Sequence, residues 1–126
     1  MDKKTITAGL GKAGKALVES IVADLAAAGL EADAREAAAL QSAGVLRDRE
    51  VELEAVIAAD GLTLMSSTGF LRVHPAVAER RQTSVALARI LSAVALADTT
   101  SEGGKVKSAR HQRAAASRWA KEADHG

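Results

Sequence analysis

Apolar positions recur at helical spacing over most of the chain. Leu17, Ile21 and Leu25 stand at i, i+4 and i+8, with Val18 and Val22 alongside, so a helix is predicted from about Lys12 to Ala28. Gly29 is suited to stop it, because a left-handed residue closes a helix and glycine adopts that conformation without penalty. A second helix is predicted to open at Asp33. Asp33-Ala-Arg-Glu36 has the spacing of a capping box, with Asp in the cap position. Leu46, Leu53 and Ile57 then form one apolar line, joined by Leu40, Ala43 and Val56, and the pattern holds to about Ala59, with Gly61 as terminator. A helix of that span is about 40 Å long at 1.5 Å per residue. Gly44 lies inside it, where glycine costs about 1 kcal/mol against alanine; a kink or a close helix crossing would account for it.

The code changes after Gly61. Leu62, Leu64, Phe70, Leu71 and Val73 flank Ser66-Ser-Thr-Gly69, a pattern predicting two short extended arms around a turn. Pro75, favourable in the first helical position, opens a third long helix. Val77, Ser84, Leu87, Ala88, Leu91 and Val94 form its expected buried stripe, which fades at Leu96-Ala97-Asp98. Thr99-Thr-Ser-Glu-Gly-Gly104 reads as a linker. The last segment, about Ser108 to Ala123, has good helix formers but almost no apolar face, and Trp119 is its one large anchor.

The expected architecture is therefore mainly α. A three-helix core has a long central helix, and a short extended turn or β-hairpin precedes the third helix. Three regions are expected: a flexible basic arm over 1–11, a helical core and oligomerisation domain over 12–98, and a linker with a basic tail over 99–126.

Composition argues that such a core is thin. Alanine occupies 29 of 126 positions, and Phe70 and Trp119 are the only aromatics. Alanine buries little area, and burial contributes roughly 25 cal/mol per Å², so a domain this small is marginal alone. Small side chains also allow close helix approach. Both points favour identical copies that complete each other's cores.

Net charge is +1, unevenly spread. Residues 1–15 carry +3 and residues 105–126 carry +4, which leaves −6 for the body between them. Two basic ends around an acidic body fit a polyanion partner met at the ends; ends that merely stay solvated fit as well. The chain has no cysteine, which excludes disulfides, thiolate metal sites and a thiol nucleophile. No apolar run reaches the ~18 residues of a membrane span, and glycines and lysines interrupt any signal-peptide core near the start. An intracellular, soluble protein is expected.

Catalytic chemistry finds little foothold. Gly9-Leu-Gly-Lys-Ala-Gly14 spells GxGxxG, but that fingerprint works only between a buried strand and a helix of a parallel sheet. Only eight polar-leaning residues precede it, so a flexible basic lead-in is expected instead. His74, His111 and His125 have no metal-ligand spacing; His74, before Pro75, is expected to cap the third helix or brace the turn against it. Glu50, Glu52 and Glu54 alternate on a helix and read as a solvated face. No phosphate-binding P-loop is present. No catalytic residue, metal or cofactor is expected.

Several segments together resemble the small terminase subunit of tailed phages. Gly9 to Leu17 resembles that family's Gly-rich lead-in to its first helix, with Val18 where the family commonly has Trp. Asp60-Gly-Leu-Thr63, the Ser67-Thr-Gly69 turn, and Arg72-Val-His-Pro-Ala76 with Arg81 resemble its central signature. Arg113-Ala-Ala-Ala-Ser-Arg-Trp119 resembles its basic, alanine-rich tail. The resemblance implies a nonenzymatic subunit acting in the host cell cytoplasm, assembled into a ring of about eight to ten copies through repeated contacts. It also implies binding of double-stranded viral DNA at the packaging site, and recruitment and regulation of the large terminase subunit, the ATPase and nuclease. The expected phosphate contacts are Lys3, Lys4, Lys12, Lys15, Lys105, Lys107, Arg110, Arg113, Arg118 and Lys121. Arg72, Arg80 and Arg81 are secondary candidates, for DNA or for a subunit interface; pairing with Glu79 is an alternative use. Trp119 is the expected docking residue for a protein partner. The alternative is a helical oligomeric adaptor that docks the large subunit without touching DNA. No membrane partner is expected.

Overall fold

The structure, a computed structural model, describes residues 2–102. Its elements in chain order are α1 (Lys3–Thr7), α2 (Lys12–Ala27), α3 (Ala34–Asp60), β1 (Thr63–Met65), β2 (Leu71–Val73) and α4 (Pro75–Glu102). The protein is mainly α, with one small two-stranded sheet.

α3 is the central element, and both α2 and α4 pack on it. α4 runs antiparallel to α3: Arg80 meets Glu54, Ser84 meets Glu50, and Ile90 and Val94 lie beside Glu36 and Ala39. The main core lies between α1, α2 and the first half of α3, built from Ile6, Val18, Leu25, Ala32, Ala37 and Leu40, with Leu10, Ile21, Val22 and Leu30 packed against it. It holds one large side chain per helical turn at best, as an alanine-rich sequence dictates.

Local signals set the helix ends. Gly29 (φ +73°) closes α2: its N–H donates to the Ala26 carbonyl (3.0 Å), and the Leu30 N–H donates to the Leu25 carbonyl (2.8 Å). This is a Schellman arrangement, with Leu30 folding back toward Leu25. The Asp33 carboxylate accepts from the Glu36 N–H (2.8 Å) and opens α3. Gly61 (φ +84°) ends it, donating to the Ile57 carbonyl at 2.7 Å.

Two expectations change. The expected flexible arm instead contains α1, anchored because Ile6 is driven into the core at 2% exposure. α4 continues to Glu102 rather than fading near Asp98; Thr99 to Ser101 are weak helix formers, but no glycine or proline interrupts the ladder before Gly103.

The antiparallel pair β1–β2 has the register Thr63↔Val73, Leu64↔Arg72, Met65↔Leu71. The turn is held by the Ser66 N–H donating to the Phe70 carbonyl (2.8 Å) and by Gly69 at φ +86°. The predicted extended arms around Ser-Ser-Thr-Gly are thus present as a hairpin.

Candidate nucleic-acid interface

The four N-terminal lysines sit on one short stretch of backbone. Lys3 and Lys4 lie on α1, and Lys12 and Lys15 lie in the first turn of α2; all four are exposed. A glycine-dependent helix crossing fixes them in place. The Asp48 carboxylate on α3 accepts from the Gly11 N–H (2.6 Å) and the Gly14 N–H (2.7 Å), closing the amino end of α2. A Cβ on Gly14 would overlap the Gly44 carbonyl oxygen, and a Cβ on Gly44 would stand 2.5 Å from Leu10 Cδ1. Gly44 therefore marks a close helix crossing. The expected flexible lead-in is instead rigidly packed, and its GxGxxG spelling serves helix contact. The N–H groups that would cradle a phosphate in a dinucleotide site are occupied by Asp48.

Lys3 Nζ and Lys15 Nζ approach the same Glu19 carboxylate oxygen at 3.9 and 4.0 Å. Exposed pairs of this kind are worth little, so both ammonium groups stay available to an external anion. Among the described residues no ion pair engages Lys4 or Lys12.

The arginines do not join this group. Arg72 lies on the hairpin, beyond the far end of α3, and is exposed. Asp48 and Asp60 are twelve residues apart on α3, about 18 Å at the helical rise. Arg80 Nη2 binds Glu54 Oε1 at 3.0 Å. Within the chain Glu54 rather than Glu79 is its partner, because the antiparallel packing of α4 on α3 brings Glu54 across. Arg81 is exposed on α4. Lys105, Lys107, Arg110, Arg113, Arg118, Lys121 and Trp119 lie outside the described residues.

Two polar features brace the frame that carries these groups. His74, buried at the foot of the hairpin, accepts from the Ala76 N–H through Nδ1 (3.0 Å) and meets Asp60 Oδ2 through Nε2 (2.9 Å). With Nδ1 accepting, the ring proton lies on Nε2 and donates to Asp60. The ring caps α4 and ties its start to the end of α3. His74 was expected in this capping role.

Glu50 was expected on a solvated face and is not there. It is buried at 9% exposure between α3 and α4, accepting from Ser84 Oγ and from Arg47 Nη1. The Ser84 hydrogen bond holds its carboxyl below the ordinary range; burial opposes the shift, and Arg47 and Arg80 reinforce it. Leu46, Glu50, Leu53 and Ile57 follow i, i+4, i+7, i+11, so the sequence does place Glu50 on the apolar line. Its alternation with Glu52 and Glu54 hides that position.

Among the described residues no group of three His, Asp or Glu side chains could hold a metal ion. No helix there is long and apolar enough to cross a membrane. What the surface offers chemically is exposed cations on an ordered frame and an exposed apolar hairpin. No protein-family model, no curated protein and no solved structure matches the chain.

Proposed function

We propose that the protein is a DNA-binding packaging adaptor of the terminase small-subunit kind. It holds double-stranded viral DNA through lysine and arginine at its two ends, and it recruits the large terminase subunit from an assembly of about eight to ten copies. One observation carries the reading: Lys3, Lys4, Lys12 and Lys15 stand exposed together on α1 and the first turn of α2, against a body of charge −6. The resemblance of Asp60-Gly-Leu-Thr63 and Arg72-Val-His-Pro-Ala76 to the family's central signature adds the packaging context. An acidic body repels DNA and leaves the cationic ends to grip it. Repetition around an assembly turns a weak single contact into avidity.

The test is DNA affinity against salt. Each phosphate engaged contributes a slope of about −0.9 in log K against log salt. Replacing Lys3, Lys4, Lys12 and Lys15 with alanine should flatten the slope and weaken binding to all sequences alike. An unchanged slope removes these lysines from the interface.

The exposed Phe70 and Leu62 favour a second reading, an adaptor that docks the large subunit without DNA contact. The full-length protein failing to bind DNA even at low salt would favour this second reading, and deleting residues 105–126 tests what the tail does. Loss of large-subunit ATPase stimulation with DNA binding intact makes the tail, with Trp119, a docking peptide.

A further inference from the structure

Where α3 begins and α4 ends, the seam between the two helices is left open. A groove of about 250 Å³ lies there, lined by Arg35, Glu36, Ala39, Ile90, Ala93 and Val94, and nearly all of its wall is apolar. Alanine is the cause. Ala39 on α3 and Ala93 on α4 stand where larger side chains would fill the seam, so Ile90 and Val94 are only half-buried and Ala93 is exposed. α4 runs on past Val94 for eight residues, about 12 Å at the helical rise, and ends at Glu102. Residues 103–126 therefore leave the described fold close to this groove. The helix ends gathered there are acidic: residues 24–36 and 89–102 together carry a net −4. Residues 103–126 carry +4.

We propose that the α3–α4 groove is a docking site for the chain's own basic tail, with Trp119 seated between Ile90 and Val94. Length fits. Ser108 to Trp119 is eleven residues, about 17 Å as a helix. Glu102 back to Leu91 on α4 is also eleven residues. A tail that reverses at Gly103-Gly104 and runs back along α4 from beside its end sets Trp119 level with Leu91, at the groove. Charge fits, since the tail and the end it returns to are opposite in sign. The attraction comes from the sum over that end, whatever partners its individual carboxylates have. Trp119 is the tail's one large apolar side chain, and an aromatic brings roughly 150–250 Å² of surface to bury. Other occupants lack one of these matches. DNA is repelled by an acidic end, and a second copy's groove is a concavity of the same sign. The tether also favours the tail. A short linker holds it at a roughly millimolar local concentration, so an intrinsic dissociation constant of about 0.1 mM leaves about nine chains in ten docked. Docking covers Trp119 and lays the tail's cations against the protein's own carboxylates, so any polyanion or protein that takes the tail must first displace it. The docking rests on the groove and the tail alone, and not on the packaging reading.

Trp119 is the chain's only tryptophan, so its fluorescence reports the tail directly. The full-length protein is measured without DNA, which keeps the outcome separate from that of the packaging reading. The expected result is emission at shorter wavelength, and acrylamide quenching several-fold weaker, than in the same protein unfolded in urea. Ala93→Arg places a bulky cation in the groove at an exposed position, so helix content by circular dichroism should hold. It should move emission and quenching to the unfolded values, whereas Gln82→Arg, the same charge on the exposed surface of α4 away from the groove, should not. Adding an excess of Trp119→Phe chains, whose grooves are intact, to Ala93→Arg protein should restore nothing. Three results each overturn the proposal: a Trp119 as open to quencher in the native protein as in urea, shielding that survives Ala93→Arg or is lost equally with Gln82→Arg, and shielding restored by the added chains, which would put the tail on a second copy.

Discussion

Gly14→Ala reverses the sign that helix propensity alone would give it. In an unobstructed helix, Gly→Ala stabilises by about 1 kcal/mol. At position 14 the new methyl would overlap the carbonyl oxygen of Gly44, a backbone atom of another helix that no rotamer change can move aside, and the Asp48 carboxylate is also within 3 Å. α2 and α3 must separate, and separation stretches the bonds from Asp48 to the Gly11 and Gly14 N–H groups (2.6 and 2.7 Å). Overpacking of a close contact costs about 1–3 kcal/mol, and weakening the cap adds about 1 kcal/mol. After the propensity gain, the variant should lose about 1–3 kcal/mol. For a domain of this size that lowers Tm by roughly 5–20 °C. Urea denaturation at matched protein concentration measures it, since any self-association makes apparent stability depend on concentration. A fall in the urea midpoint with an unchanged m-value is expected. A rise in the midpoint refutes the close crossing and with it the fixed placement of the four lysines.

Three further outcomes follow from the same frame. Asp48→Ala should destabilise by about 1–2 kcal/mol through loss of the α2 cap, and hydrogen exchange should show the increase concentrated at Gly11 to Lys15. Glu50→Gln should cost about 1–3 kcal/mol at neutral pH by breaking the Ser84 and Arg47 bonds inside the α3–α4 contact. Because folding lowers the Glu50 pKa, its stabilisation is complete above the unfolded value near 4.3 and is lost as pH falls through the lower folded value; denaturation curves of parent and variant should draw together as the pH is taken down through that folded value, and a gap that does not narrow with acidification contradicts the assignment. His74→Ala should cost about 1–2 kcal/mol as α4 loses its cap, while His74→Asn, which keeps an acceptor for the Ala76 N–H, should recover part of it in the same melt.

The helices were legible because their signals are local. Leu17, Ile21 and Leu25 define one face within a few turns. Asp33 with Glu36, Gly29, Gly61 and Pro75 mark ends by conformational preferences that need no distant partner. The hairpin was legible from Ser66 to Gly69 for the same reason. α1 was not, because Thr5-Ile-Thr is a poor helix in isolation and forms only where Ile6 finds a core made by α2 and α3. The lysines were recognised by charge, but their fixed placement was not, since Asp48 reaches Gly11 and Gly14 across more than thirty residues of chain.

What the sequence determined by itself is the three long helices and the hairpin, the small-residue core and the charge segregated to the ends, all properties of composition and short-range periodicity. Only the tertiary structure decided which small residues touch, that the glutamate at 50 is buried and the arginine at 80 paired with Glu54, and that Met65, Leu71 and Val73 are left exposed. Those outcomes depend on how α2 and α4 are oriented on α3, and orientation is set by the sum of contacts between segments far apart in the chain.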